Sequence, residues 1–78
     1  MTESEQARAW RRSMRLTMDE LSVLTGYSRE AIFLFERGTN SQGKPHASAS
    51  WRRYKLACLA ARFLLHFKMK SVDQWGWQ

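Results

Sequence analysis

Apolar residues recur at helical spacing in the first part of the chain. Over residues 3–14 they form one stripe of the helical wheel, with arginines around much of the remainder, which predicts a first helix. Thr17 and Glu20 have the spacing of a capping box, in which two residues satisfy bare amide groups at the start of a helix. A second helix is therefore expected over residues 18–25.

Two glycines end the next elements. Gly26 can take the left-handed backbone of a tight turn and is expected to end the second helix. Ser28 is the candidate cap of a third helix over residues 29–37, which stops at Gly38. Two short helices joined by a turn that contains Gly are typical of a helix-turn-helix motif, which we predict over residues 18–37.

A polar segment separates these helices from a long apolar one. Residues 39–50 are rich in Ser, Asn, Gln and Gly and contain the only proline, so they are predicted to form a loop. A fourth helix is expected from residue 50 or slightly earlier to about residue 68. The tail, residues 71–78, alternates apolar and polar residues and fits an extended strand or a short turn. The predicted fold is a single compact all-α domain over residues 1–78, with four to five helices.

Composition and charge narrow the class of function. Thirteen Lys and Arg against seven Asp and Glu give a net charge of +6, which predicts a polyanionic partner, with double-stranded DNA ahead of a membrane surface. One Cys and two His residues form no metal-ligand set, and no nucleophile, base and orienting group are arranged as in an enzyme. We therefore expect no metal, no cofactor and no catalytic residue.

Three further expectations concern single residues and location. Cys58 is expected in the core, and His46 and His66 on the surface. The start of the chain has no basic and apolar leader, and the richest apolar run is interrupted by charge. This pattern indicates a cytoplasmic protein with no membrane span.

Several single residues and short stretches in and around the motif match the pattern of a known family. They are Arg11, Leu16-Thr17, residues 19–28, Ile32 and Phe35-Glu36-Arg37-Gly38. With them the chain resembles the Cro/cI-type (XRE) helix-turn-helix family of phage and bacterial transcriptional regulators. The resemblance implies a Cro/cI-like domain whose third helix lies in the major groove, and it maps the family's paired Arg and Glu onto Arg11 and Glu36. We expect these two to form a structural ion pair between the first and third helices. The family often has Gln where this chain has Met18.

The third helix divides into a buried and an outward side. Ile32 and Phe35 define the buried side, at 100° per residue. An outward Arg can pair with guanine, a Glu can accept from cytosine, and an apolar side chain can pack on a thymine methyl. The candidate base contacts are Ser28, Arg29, Glu30, Phe33 and Leu34. The candidate phosphate contacts are Thr17, Met18, Arg37, Lys44, Arg52 and Arg53.

The fourth helix carries two apolar arcs, and three short helices can cover only one of them. The second arc predicts a homodimer interface within residues 50–78, formed by Leu59, Phe63, Phe67, Trp75 and Trp77. The alternative is that the tail folds back over this arc within the monomer. A dimer would place two third helices ~34 Å apart on an operator with inverted half-sites.

These patterns together predict a sequence-specific DNA-binding transcriptional regulator. The small size of the chain favours a repressor that acts by occupying its operator. The resemblance implies control of a phage or mobile element, and we expect the protein to repress its own gene. The alternative is a protein-interaction module, such as an antitoxin or antiactivator, in which Phe33, Leu34 and the tryptophan tail bind another protein.

Overall fold

Four α-helices and a short 3-10 turn make up the part of the chain that the computed structural model describes, which is residues 1–75, with side chains to residue 73. The elements are α1 (Glu3–Ser13), α2 (Met18–Thr25), α3 (Arg29–Arg37), α4 (Ser48–His66) and the 3-10 turn (Val72–Trp75). The predicted all-α class is confirmed. Of the two forms predicted for the tail, the described residues take the turn.

Side-chain caps fix where the first helices begin. The Thr17 hydroxyl accepts from the Glu20 amide at 3.1 Å, and the Glu20 carboxylate accepts from the Thr17 amide at 2.9 Å. The backbone hydrogen bond from Thr17 lowers the pKa of Glu20, so this stabilisation is present at neutral pH and is lost as the pH falls through the pKa of the folded state. Thr2 and Glu5 form the same box at α1, and Ser28 caps α3 by accepting from the Ala31 amide.

Left-handed glycines end the next two helices. Gly26 has φ of 81° after α2, and Gly38 has φ of 93° after α3. A Cβ at Gly38 would also lie 3.2 Å from the Ser4 hydroxyl, because α1 passes close to the end of α3. The predicted ends of both helices are confirmed, and residues 26–28 form the tight turn between them.

The core lies where α2 and α3 meet α4. Its buried members are Leu16, Leu21, Leu24, Ile32, Phe35, Tyr54, Ala61 and Leu64. Phe35 stacks on Tyr54 with ring centroids 4.2 Å apart, and Tyr27 meets both rings edge-on. Cys58 is packed against this core as predicted, and burial raises the pKa of its thiol to about 11. The aromatic stack fixes one side of α3 against α4 and leaves the other side to solvent.

The loop before α4 differs from the prediction in one respect. His46 was expected on the surface, but it is half-buried and stacks on Phe35 with ring centroids 4.2 Å apart. Its Nε2 lies 2.9 Å from the Leu34 carbonyl oxygen and donates to it. The prediction for His46 was wrong because its partners, the Leu34 carbonyl and the ring of Phe35, lie on another element and are brought to it only by the tertiary fold.

A helix crosses a membrane only when it is both long and apolar. No helix in the described residues combines enough length with enough apolar character to cross a bilayer. α4, the longest, runs from Ser48 to His66 and includes Arg52, Arg53 and Arg62.

Candidate nucleic-acid interface

The exposed side of α3 is the centre of the candidate interface. Ile32, Phe35 and Glu36 are its buried residues. Its exposed residues are Arg29, Glu30, Phe33 and Arg37. Phe33 keeps 47 % of its surface in solvent and is the one large apolar side chain that α3 exposes. The helix therefore presents charged groups and one aromatic ring on the same face.

Leu34 lies at the edge of this face. Leu34 is predicted to point outward, but it is only partly exposed, whereas Phe33 is exposed. The loop bearing His46 packs against the end of α3 at the Leu34 carbonyl. Leu34 is thus less accessible than the other predicted base contacts.

A buried ion pair fixes α3 in place. Arg11 Nε lies 2.6 Å from Glu36 Oε2, and Arg11 Nη2 lies 2.9 Å from Glu36 Oε1. Arg11 Nη1 also donates to the Leu16 carbonyl at 2.9 Å, which ties α1 to the segment before α2. The hydrogen bond to Glu36 raises the pKa of Arg11. The predicted structural ion pair is confirmed, and through it α1 sets the position of α3.

Two clefts lie on either side of Phe33. The first is lined by Met18, Arg29, Glu30 and Phe33. Arg29 Nε is 3.5 Å from Asp19 Oδ1, but both side chains are well exposed, so this contact holds the guanidinium only weakly. Arg29 therefore remains available to a ligand in the cleft.

The second cleft contains two residues that the sequence had not singled out. Its lining consists of Arg8, Arg11, Arg12, Met18, Phe33, Glu36 and Arg37. Arg8 and Arg12 are exposed and belong to α1. Their spacing from Arg11 was a usable signal, because once Arg11 is paired with Glu36 its neighbours on α1 must flank α3.

The predicted phosphate contacts divide into two groups. Met18 and Arg37 line the clefts beside Phe33. Thr17 precedes Met18, and its hydroxyl accepts the hydrogen bond that caps α2. Arg52 instead lies in a depression with Glu3, His46 and Trp51, which includes no exposed side chain of α3. The exposed side chains of Lys44 and Arg53 line neither cleft. Trp51 packs against the buried ring of Phe35. This contact places the neighbouring Arg52 away from the exposed side of α3.

The predicted dimer residues of α4 lie on an exposed strip. We define the α4 strip by its large apolar members, which are Leu56, Leu59, Phe63 and Phe67 and are 51–61 % exposed. The strip is exposed beside residues 71–73, the tail residues whose side chains the structure describes. The side chain of Trp75 and all of Trp77, also predicted at the interface, lie outside the described residues.

Groups of metal ligands and unpaired buried polar atoms are the signs of other kinds of site. Among the described residues, no group of three or more His, Cys, Asp or Glu is placed to hold a metal ion. The buried side-chain nitrogen and oxygen atoms of these residues all have hydrogen-bond partners. Comparison with protein-family models, curated protein sequences and solved structures finds no match to this chain.

Proposed function

We propose that the chain is a sequence-specific DNA-binding regulator that places α3 in the major groove of its operator. The observation that carries this proposal is the exposed face of α3, where Arg29, Glu30 and Phe33 project while Ile32 and Phe35 hold the opposite face in the core. The major groove is ~12 Å wide and admits one α-helix. A DNA ligand of this kind fits a cytoplasmic repressor that acts by occupying its site.

The chemistry of the three projecting side chains fits base edges. Arg29 can donate a bidentate pair to the O6 and N7 atoms of guanine, and Glu30 can accept from the N4 amine of cytosine. Phe33 offers its ring to a thymine methyl, which would cover an otherwise exposed apolar surface. The half-site should therefore combine a G·C pair with a neighbouring thymine.

Replacing Arg29 with alanine should remove discrimination at one base pair of the site. One bidentate contact contributes about 1 to 3 kcal/mol of discrimination, which corresponds to roughly 5- to 150-fold between the right and wrong base. The operator is first selected from random duplexes, and binding to it and to each single-base variant is then measured by competition. Arg62→Ala is the matched control, because Arg62 is exposed on α4 and lines neither cleft beside Phe33. An unchanged preference in Arg29→Ala would remove Arg29 from the base contacts.

We propose further that two copies associate through the α4 strip. Leu56, Phe63 and Phe67 follow one another at helical spacing, and Ala60 lies on the same face, where a small residue lets two helices cross closely. Both ends of the strip are flanked by basic residues, Arg52 and Arg53 at one end and Lys68 at the other. Like charges there would repel in a dimer, so association should strengthen as salt rises, whereas DNA binding should weaken.

A protein-interaction module, such as an antitoxin or antiactivator, is the second candidate function. Exposed Phe33 and the α4 strip favour it, because two separate apolar surfaces are open to solvent. The two candidates differ in what covers Phe33. A Phe33→Ser variant that loses preference at a thymine supports DNA, while one that keeps all DNA binding supports the protein partner.

A further inference from the structure

We propose that Arg8 and Arg12 of α1, together with Arg37, form a phosphodiester-binding cleft beside α3. The inference rests on the proposed function for its ligand, the DNA backbone, and adds a group of contacts outside the helix-turn-helix motif. Arg8 and Arg12 line one cleft with Phe33 and Arg37, next to the face that meets the bases. A phosphate bound there would fix the register of α3 in the groove.

The charge of the cleft favours an anion. Its only carboxylate is Glu36, which is 4 % exposed and is paired with Arg11 through two hydrogen bonds. That pair is close to neutral, so the guanidinium groups of Arg8, Arg12 and Arg37 give the cleft its net charge. Such a concentration of unbalanced positive charge beside an exposed aromatic ring fits a nucleic-acid backbone.

Most donors of these arginines are open to a ligand. Arg8 Nη2 lies 3.4 Å from the Glu36 carbonyl oxygen, and Arg37 Nε donates to the Thr39 hydroxyl at 2.9 Å. A guanidinium has five N–H donors, so each of these contacts uses a small share of them. The other N–H groups of each guanidinium form a planar fork that can donate two parallel hydrogen bonds to two oxygens of a phosphate.

The position of the cleft is set by rigid elements. Arg8 and Arg12 are four residues apart on α1, so they lie on one side of that helix. Arg11, between them in sequence, holds α1 to α3 through the buried contact with Glu36. The two helices therefore hold the cleft and the exposed face of α3 in one fixed relation.

The test is the salt dependence of DNA binding in Arg8→Gln/Arg12→Gln. Each phosphate contact contributes ~0.9 to the slope of log affinity against log salt concentration, so the double variant should lose ~1.8 of the slope for each copy bound to the duplex. The ratio of affinities for selected and scrambled duplexes should stay within about threefold of the original chain, since phosphate contacts carry no base information. Both residues are exposed, and an unchanged melting temperature verifies folding.

The matched control is Lys55→Gln/Arg62→Gln, which removes the same charge from two exposed positions of α4 that lie outside the α4 strip and line neither cleft beside Phe33. Its slope should fall by much less, and Arg8→Lys/Arg12→Lys should restore most of the lost slope. A slope loss equal in the two double variants would overturn the inference. If random duplexes yield no enriched sequence but the slope difference is present, the proposed sequence specificity is wrong and phosphodiester binding by the cleft is supported. If a sequence is enriched and the slopes are equal, phosphodiester binding by the cleft is wrong and the proposed function is retained.

Discussion

A Glu36→Ala variant is expected to lose about 3 kcal/mol of unfolding free energy, because it leaves the Arg11 guanidinium without its partner in a largely buried position. A chain of 78 residues has a total stability of order 4 to 12 kcal/mol, so this loss is a large fraction of it. The melting temperature should fall by at least ~12 °C, measured by circular dichroism. The hydrogen bond from Arg11 Nη1 to the Leu16 carbonyl is expected to weaken as well, and α3 should lose its fixed position.

Glu30→Ala is the matched control, since Glu30 lies on the same helix but is exposed. It should change stability by less than ~0.5 kcal/mol. Replacing both partners, as Arg11→Met/Glu36→Leu, should recover most of the lost stability, because no charge is then left unpaired. A Glu36→Ala protein as stable as the Glu30→Ala protein would show that the ion pair does not hold α1 to α3.

The second large effect is expected from Phe63→Glu in the middle of the α4 strip. A carboxylate there would have to be buried between two apolar helices, so the chain should become monomeric. Affinity for an operator with inverted half-sites should fall by about 100- to 10,000-fold, because the second half-site contact is no longer intramolecular. Sedimentation equilibrium gives the oligomeric state, and titration of the selected duplex gives the affinity.

Val23→Glu provides the control for this charge change. Val23 is 59 % exposed on α2 and belongs neither to the α4 strip nor to the clefts beside Phe33. The Val23→Glu protein should keep the original oligomeric state, and its affinity should change by less than about tenfold. If the original chain is monomeric at micromolar concentration, or if Phe63→Glu still forms dimers, the proposed interface is wrong.

The helix limits were predictable because they depend on neighbouring residues. The Thr17 and Glu20 cap, Gly26 and Gly38 act within a few positions of the chain, and the structure places each helix end where they indicate. The Arg11 and Glu36 pair was expected from the resemblance to a known family, since no local pattern joins residues so far apart.

The features that local spacing could not place depend on tertiary contacts. His46 is held by the Leu34 carbonyl and by the ring of Phe35, and helical spacing does not show that either lies near it. Arg8 and Arg12 could be placed beside α3 only through the expected pairing of Arg11 with Glu36, because helical spacing alone does not say which side of α1 faces α3. Arg52 was grouped with the phosphate contacts by its place after the loop, yet Trp51 anchors that end of α4 to the buried side of α3.

Selection of random double-stranded DNA by the unmodified chain tests the central claim most directly. We predict enrichment of an inverted repeat whose half-sites are about one helical turn apart, with a G·C pair and a thymine in each half-site. The enriched duplex should bind at least ~1000-fold more tightly than a scrambled duplex of the same length and composition at physiological salt. Equal affinities for the two duplexes at every salt concentration, with no sequence enriched, would contradict the claim that α3 recognises DNA sequence.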